Sequence, residues 1–254
     1  FRCDVAWGLP TPFWNEVVQR VRAVKPDAFF LAEAELPQHQ VAAFNLSYGF
    51  DLHHVMNEIA QGKRSASGID EAYAKIRARF PRGSALMVFT SSHDENSWAG
   101  TEFERMGEGY APFAVLTFLL DGVPMIYNGQ EVGLDRRLQF FERDPIVWPQ
   151  EEHPTTRLYR VMTALRHAHP ALHTGAAMRR LDTTDNASFY AIERSAAGRQ
   201  VVGVLNLSAK EATADLYDPA LAGEWRDAFT GEKVTLGALV PLAMKPWGYR
   251  VWVR

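Results

Sequence analysis

The sequence predicts an α/β protein in two parts, a parallel sheet with its helices followed by a small antiparallel β domain. The first two-thirds of the 254 residues alternate strand-like and helix-like segments, the order that builds a parallel sheet through right-handed crossovers. After about Gly175 the helical spacing of apolar residues stops, and six short alternating stretches follow, separated by glycine, proline and asparagine. These stretches are SFYAIER, QVVGVLNLS, EATADLY, EWRDAFTG, VTLGALVPLAM and GYRVWVR. We therefore expect residues 1–174 to form the first part and 175–254 the second.

The predicted strands of the first part are apolar runs that end in ionisable or polar residues. They are Phe1–Ala6, Asp27–Glu35, the stretch FNLSYGF, Ala85–Asn96 and Gly122–Glu131. Apolar residues at helical spacing predict helices in the stretch TPFWNEVVQRVRAVKPD and over Asp51–Gly62, Ile69–Phe80, Glu102–Leu120 and Thr155–His169. Thr11 is the expected N-cap of the first helix, and Pro112 is the expected break in the long one. The polar residues should meet at the carboxyl edge of the sheet, where the active sites of such folds lie.

The composition excludes several classes of function. Hydrophobic residues make up 47% and charged residues 22%, as in an ordinary globular domain. With 27 Lys and Arg against 30 Asp and Glu, the net charge of −3 is too balanced for nucleic acid or an anionic membrane as the main partner. Cys3 is the only cysteine, which excludes an internal disulfide and a zinc site built from several cysteines. No apolar run approaches the roughly 18 residues of a membrane span, and the compartment stays open.

Three carboxylates, Asp4, Glu33 and Asp94, are expected at three separate strand ends. Arg2 lies two residues before Asp4, so both side chains project from the same face of their strand. An arginine beside an aspartate keeps the carboxylate ionised and oriented, which is what a carboxylate nucleophile needs.

The other two strand ends predict a proton donor and a sugar-binding pair. Glu33 follows the apolar stretch FFLA, so its carboxyl group is expected to resist ionisation and to hold a proton near neutral pH, as a general acid must. His93 and Asp94 add a hydrogen-bond donor and a third carboxylate. One ionised and one protonated carboxyl group close together are the working parts of a retaining glycosidase. A single such residue is more often a helix cap, a surface ion pair or a structural histidine, so the prediction depends on several of them falling at successive strand ends.

Other residues near the strand ends have simpler interpretations. Trp98 and Trp148 are expected in the core rather than as platforms for sugar rings. Glu131 is expected to orient its strand end, and Asp144 is equally compatible with a turn before Pro145.

Four motifs resemble, in order, those of the alpha-amylase family of glycoside hydrolases (family 13). FRCDVA is similar to the family's fourth-strand motif, which has an arginine two residues before the nucleophilic aspartate, and FFLAEAE is similar to its fifth-strand motif, which ends in the acid/base glutamate. FTSSHDEN resembles the seventh-strand motif, and GVPMIYNGQEVG resembles the eighth strand. The resemblance covers essentially the whole chain. It implies a partial (β/α)8 (TIM) barrel, strands four to eight, followed by the family's antiparallel C-terminal β sandwich.

The resemblance also implies a role for each candidate residue. Asp4 would be the nucleophile that forms a covalent glycosyl intermediate, and Arg2 would hold it. Glu33 would protonate the leaving oxygen and then activate water. Asp94 would stabilise the distorted, oxocarbenium-like sugar, and His93 would bond one of its hydroxyls. The implied substrate is an α-1,4-glucan, either starch or a maltooligosaccharide.

Two departures from the family pattern concern the metal and the substrate. Trp7 and Gly8 stand where the family often has a lysine and a histidine that serve a further sugar subsite and a calcium site. We therefore predict no metal site and no other cofactor in this chain, and we leave calcium binding to the missing N-terminal half of the barrel. Ser92 replaces the asparagine that precedes the histidine and aspartate in the family, which shortens a hydrogen-bonding side chain.

The family's first three barrel strands would precede Phe1, and half a barrel exposes two sheet edges. Three explanations stay open. The chain is one piece of a longer polypeptide, which we favour; it closes the sheet with a copy of itself or with another chain; or it is a carbohydrate-binding relative without turnover. Transglycosylation or isomerisation on the same scaffold is compatible with the same carboxylates, whereas non-catalytic relatives usually lack them.

Overall fold

The computed structural model describes residues 1–254, and its first part is a five-stranded parallel sheet. The strands are β1 (Arg2–Cys3), β2 (Leu31–Ala32), β3 (Leu46–Tyr48), β4 (Leu86–Val88) and β5 (Val123–Pro124). They lie side by side in chain order, and each neighbouring pair is parallel. All five predicted strands are confirmed, but each keeps only two or three residues because the polar continuation of each run leaves the sheet as a turn. The sheet is open, with β1 and β5 as its edges.

Six helices accompany this sheet. They are α1 (Thr11–Val24), α2 (Phe50–Ala60), α3 (Gly68–Arg79), α4 (Glu102–Met106), α5 (Tyr110–Leu119) and α6 (Pro154–Ala168). The longest, α6, has 15 residues, and no helix has the length and hydropathy that crossing a membrane requires.

Two details of the helix prediction are wrong. The N-cap of α1 is Pro10, and Thr11 is the first helical residue. The predicted helix over residues 102–120 is two helices, and the break lies at Gly107–Gly109 rather than at Pro112. Gly107 has φ 54°, which a helix cannot continue through, whereas Pro112 lies in the first turn of α5, where its missing N–H is not needed.

The second part is antiparallel, as predicted. Its strands are β6 (Ala177–Leu181), β7 (Phe189–Ala196), β8 (Arg199–Asn206), β9 (Ala212–Tyr217), β10 (Gly223–Asp227), β11 (Lys233–Leu236), β12 (Leu239–Met244) and β13 (Tyr249–Val253). Six of them form a sheet in the order β11-β10-β13-β8-β7-β6, and β12 pairs with β9. Side chains from both sheets, including Phe189, Trp225, Leu216 and Leu242, share one core cluster of 14 buried residues.

A single hydrophobic core joins the two parts of the chain. It contains 31 buried residues, among them Phe113 and Leu119 of α5 and Val201 and Leu205 of β8. Gly203 of β8 faces Leu119 so closely that an added Cβ would lie 2.2 Å from the leucine Cδ1. The predicted division at residues 174 and 175 falls just before β6, and it stays a prediction because this core crosses it.

Arg194 of β7 is the largest polar group inside this junction. It is fully buried, and its guanidinium donates to the carbonyl oxygens of Leu119 at 2.9 Å and His173 at 3.0 Å. Asp121 lies 3.4 Å away and supplies the opposite charge. The junction therefore combines apolar packing with a buried guanidinium group that donates to backbone carbonyls of the first part.

Candidate active site

The five predicted site residues lie on or directly beyond strands of the parallel sheet, and four of them follow a strand at its carboxyl edge. Arg2 lies on β1 and Asp4 directly after it, and Glu33 comes directly after β2. His93 and Asp94 come five and six residues after β4. Because parallel strands all end at the same edge, the topology places these side chains on one side of the sheet.

Arg2 connects two of the candidate carboxylates. One guanidinium nitrogen contacts Asp4, and the other lies 3.0 Å from an oxygen of Glu33. The Asp4 side chain is 75% exposed, whereas that of Glu33 is only 16% exposed. The nucleophile candidate thus faces solvent beside its arginine, and the proton-donor candidate lies deeper on the same arginine.

The backbone after Asp4 adds a second contact to Glu33. Val5 has φ 43° and ψ 44°, a left-handed conformation that costs a β-branched residue on the order of 1–3 kcal/mol. In this conformation the Val5 N–H donates to the second oxygen of Glu33 at 2.6 Å. Both oxygens of Glu33 are therefore held by groups from the β1 segment.

This arrangement corrects the predicted environment of Glu33, which is polar rather than apolar. Phe30, Ala32 and Ala34 alternate with it along the chain, and they are buried together in the cluster that faces α1. Strand alternation places Glu33 on the opposite face, toward Arg2. The apolar stretch FFLA before Glu33 therefore does not indicate which face of the strand carries the Glu33 carboxyl group.

His93 and Asp94 form a second, separate pair. The His93 Nε2 lies 3.2 Å from an Asp94 carboxylate oxygen, and both side chains are about two-fifths exposed. No hydrogen bond or ion pair joins this pair to Arg2, Asp4 or Glu33. The structure thus brings the five predicted residues together as one contacting trio and one contacting pair at the same sheet edge.

A buried pair behind His93 and Asp94 was missed by the sequence analysis. Glu95 begins a short π-helical turn, Glu95–Ala99, and its carboxylate lies 3.0 Å from Nε2 of His53 in α2. His53 is fully buried, and its Nδ1 lies 3.2 Å from the carbonyl oxygen of Phe89. The hydrogen bond from His53 lowers the pKa of the Glu95 carboxyl. The contact also links Glu95, the residue next to Asp94, to α2.

Arg105 of α4 ties the same turn to the end of β4. It is buried and donates to the carbonyl oxygens of Gly100 at 3.0 Å and Thr90 at 2.8 Å, and to the side chain of Asn57 at 2.7 Å. These bonds fix both ends of the segment that carries His93 and Asp94. A lone arginine in a predicted helix gave no signal of this role.

A second buried network supports the loop after β5. The side-chain amide of Gln130 lies 2.9 Å from the Thr90 hydroxyl, 2.9 Å from the Glu102 carboxylate and 3.1 Å from the Tyr159 hydroxyl. Burial raises the pKa of Glu102, which is almost completely enclosed. The ends of β4 and β5 are thereby joined through side chains of α4 and α6.

Glu35 is a further acidic group near Glu33. One of its oxygens accepts the Asp51 N–H at 2.8 Å, in the first turn of α2, while the other is buried without a hydrogen-bond partner. Burial raises the pKa of Glu35 to about 7, and the nearby Asp51 carboxylate adds to the shift. Its place two residues after Glu33 was the available signal, but its burial could not be read from the sequence.

Trp98 and Trp148 are not in the core, and this prediction is wrong. Trp98 is 61% exposed and Trp148 is 55% exposed. Glu131 accepts the Gly129 N–H at 2.8 Å, so it orders the turn after β5, as expected. Asp144 binds Arg136 within its own loop, in line with a turn residue.

No group of three His, Cys, Asp or Glu side chains is arranged to hold a metal ion. The prediction that this chain has no metal site or cofactor stays a prediction.

Comparison with known proteins finds similarity to alpha-amylases and related enzymes. No protein-family model matches the chain. Alpha-amylase MalA of Haloarcula japonica is 25% identical over 241 residues, which cover 90% of this chain and 35% of that protein. Neopullulanase 2 of Thermoactinomyces vulgaris is 28% identical over 253 residues, 92% of this chain and 41% of that protein. An alpha-1,4-glucan:maltose-1-phosphate maltosyltransferase of Streptomyces coelicolor is 27% identical over 250 residues, 90% of this chain and 35% of that protein.

Solved structures of related enzymes share the fold of this chain. The maltogenic alpha-amylase AmyB of Thermotoga neapolitana superposes on all of this chain with a TM-score of 0.85 at 21% identity, and the match covers 60% of AmyB. In sequence the chain is thus similar to alpha-amylases and related enzymes, and in fold to maltogenic amylases and cyclomaltodextrinases. It spans less than half the length of the curated relatives named above. Against a solved cyclomaltodextrinase, this chain gives a TM-score of 0.85 at 20% identity and covers 45% of that structure.

Proposed function

We propose that this chain is the part of an α-glucan-cleaving enzyme that carries its nucleophile and its acid/base. In this proposal residues 1–174 are strands four to eight of a (β/α)8 catalytic barrel, and residues 175–254 are its C-terminal antiparallel β domain. The substrate is an α-1,4-glucan such as starch or a maltooligosaccharide. The relatives' names and the shared fold support this substrate class.

One observation carries the proposal, which is that Arg2 contacts Asp4 and Glu33 together. Two carboxyl groups bridged by one arginine, at the ends of adjacent parallel strands, lie close enough to act on the same glycosidic bond. Surface ion pairs ordinarily join one acid to one base and carry little energy. Here the shared arginine orients two acids toward the same edge of the sheet.

The chemistry would follow the retaining route. The Asp4 carboxylate attacks the anomeric carbon while Glu33 gives its proton to the departing glycosidic oxygen, which leaves a glycosyl ester on Asp4. Glu33, now a carboxylate, then takes a proton from water as the water attacks the same carbon and releases Asp4. His93 and Asp94 hold sugar hydroxyls during both steps. An acceptor sugar in place of water would give transglycosylation, and a product profile distinguishes the two outcomes.

The test is substitution of Asp4 by Asn in the longest polypeptide that carries this chain. We expect maltooligosaccharide turnover to fall by roughly 10³-fold or more, because the amide is a poor nucleophile. The matched control is Asp27→Asn, an exposed aspartate at the opposite end of β2 that pairs with Lys25. Turnover that survives in Asp4→Asn, or that falls equally in both variants, would show that Asp4 is not the nucleophile.

A second measurement separates the open explanations for the half barrel. Hydrolysis by the 254-residue chain is followed over a range of protein concentrations. Specific activity that rises with concentration indicates that copies assemble to complete the site. Sugar binding without turnover at any concentration indicates that residues outside this chain, or another polypeptide, are required.

A further inference from the structure

An exposed group of aromatic rings lies beside His93. We call Trp98, Phe140 and Phe141 the aromatic cluster; they are 61%, 37% and 83% exposed. The Phe140 ring centroid lies 5.1 Å from that of Trp98 and 4.8 Å from that of Phe141. The His93 ring stacks on Phe140 at 5.6 Å and 23°. The cluster is therefore continuous with the candidate site and extends outward from it.

The backbone under the aromatic cluster is fixed from the site side. Trp98 lies on the π-helical turn, and Phe140 and Phe141 lie in the loop after β5. Asn96, which is almost fully buried, joins the two segments, since it accepts the Leu138 N–H at 2.7 Å and donates to the Arg136 carbonyl at 3.1 Å. The Ser97 hydroxyl donates to the Leu138 carbonyl at 2.8 Å.

The loop is closed on its far side by an ion pair. Arg136 donates to both oxygens of Asp144, at 2.7 and 2.6 Å, and the Gln139 N–H donates to the same carboxylate at 2.9 Å. Phe140 and Phe141 lie between these two fixed points. Their exposure is thus the result of a specific loop structure rather than of an unpacked loop tip.

The exposed rings need an occupant with a flat apolar face and a polar rim. Contiguous exposed apolar surface next to polar groups is typical of ligand-binding positions. The face of an aromatic ring carries partial negative charge, and it attracts the weakly positive C–H groups that line one face of a pyranose ring. The sugar's hydroxyls then lie at the rim, where they reach His93 and Asp94 or water.

We propose that the aromatic cluster is a binding subsite for glucosyl units of an α-glucan chain, beyond the sugar held by His93 and Asp94. This inference rests on the proposed function for its substrate class. Its occupant is chosen because the cluster continues from His93 without a gap, so a chain held at the site passes over it. The other occupants, a second polypeptide or another copy of this chain, are outcomes of the test.

Binding can be measured without turnover. Maltoheptaose and maltose are each titrated into the 254-residue chain by calorimetry, with the wild type, Trp98→Ala, Trp98→Phe and Phe141→Ala. We expect each alanine variant to weaken maltoheptaose binding about tenfold and to change maltose binding little, because only the longer sugar reaches the cluster. Trp98→Phe keeps an aromatic ring and should retain most of the affinity, which shows that the loss is not one of folding.

The control is Phe29→Ala, a half-exposed aromatic side chain at the amino end of β2, on the opposite edge of the sheet. It should bind both sugars as the wild type does. Maltoheptaose affinity that is equal in the wild type, Trp98→Ala and Phe141→Ala would overturn the proposal, as would an equal loss in Phe29→Ala. A further test measures how strongly acrylamide quenches tryptophan fluorescence in the longest polypeptide that carries this chain. If Trp98→Ala leaves this quenching unchanged, other protein covers the cluster, and the proposal is overturned.

These results are distinguishable from a failure of the proposed function. Cluster-dependent binding of maltoheptaose, with no hydrolysis even in the longest polypeptide that carries this chain, counts against the proposed activity alone. Hydrolysis that depends on Asp4, with maltoheptaose affinity unaffected by Trp98→Ala, counts against the subsite alone.

Discussion

The buried contact between His53 and Glu95 should stabilise the segment that carries His93 and Asp94, and Glu95→Gln tests this directly. The Glu95 carboxylate lies 3.0 Å from a completely buried imidazole and is itself 20% exposed. A hydrogen bond to a charged group in such a setting contributes about 1.5–3 kcal/mol. We therefore expect Glu95→Gln to lower the free energy of unfolding by about 2 kcal/mol at pH 7.

The pH dependence of this loss is the sharper part of the prediction. His53 lowers the pKa of Glu95 in the folded chain. The stabilisation by this contact is therefore fully present above the pKa that Glu95 has in the unfolded chain, and it disappears as pH falls through the lower pKa of the folded chain. The difference between the wild type and Glu95→Gln should thus be constant near neutral pH. It should shrink below about pH 4.3, where carboxyl groups of the unfolded chain become protonated.

The assay is urea unfolding of both proteins from pH 7 down to the lowest pH at which they fold. Glu16→Gln is the control, because Glu16 pairs with Arg20 at 2.5 Å on the exposed surface of α1. Such an i,i+4 pair is worth about 0.3–0.5 kcal/mol. A loss in Glu95→Gln no larger than in Glu16→Gln, or one that persists undiminished in acid, would refute the reasoning.

Two further predictions concern the junction and Glu35. Arg194→Met should lower the free energy of unfolding in urea by about 3–5 kcal/mol, because it leaves Asp121 and several carbonyls near the junction without their partner. The control is Arg20→Met at an exposed position, which should change the same free energy by less than about 0.5 kcal/mol. Equal losses in the two variants would contradict a structural role for Arg194. The pKa of Glu35 is raised to about 7 in the folded chain, so the folded state keeps a proton that the unfolded state loses from about pH 4.5 upward. The free energy of unfolding of the wild type should therefore fall by at most about 3 kcal/mol between about pH 4.5 and 7. Glu35→Gln should lack this part of the pH dependence. Unfolding free energies at pH 5 and pH 8 measure it, and identical slopes in the two proteins would show that Glu35 ionises normally.

The order of strands and the positions of the carboxylates could be predicted because both depend on local pattern. Apolar runs that end in ionisable residues mark buried parallel strands, and parallel strands end at one edge. The strand lengths could not be predicted, because pairing stops after two or three residues where the chain turns toward the site. The run Phe1–Ala6 illustrates this: Val5 takes a left-handed conformation that its β-branched side chain disfavours.

The missed residues share a different cause, which is that their roles arise from distant contacts. His53 and Glu95 are 42 positions apart, and their burial depends on the packing of α2 against the end of β4. The exposure of Trp98 was mispredicted for the same reason. Tryptophan is highly buried on average, whereas Trp98 is 61% exposed on a turn that Asn96 joins to the loop after β5.

The groups that hold the site's frame are therefore not the groups proposed to act on the sugar. Asp4 is three-quarters exposed, and its ion pair with Arg2 belongs to the class worth less than about 1 kcal/mol. The contacts of Glu95 with buried His53 and of buried Arg105 with a backbone carbonyl belong to a stronger class, worth about 1.5–3 kcal/mol each. It follows that Asp4→Asn removes a proposed nucleophile at little cost to folding, whereas a change in the buried layer alters stability first and chemistry second. A loss of turnover in Asp4→Asn at unchanged unfolding free energy can then be assigned to the chemical step.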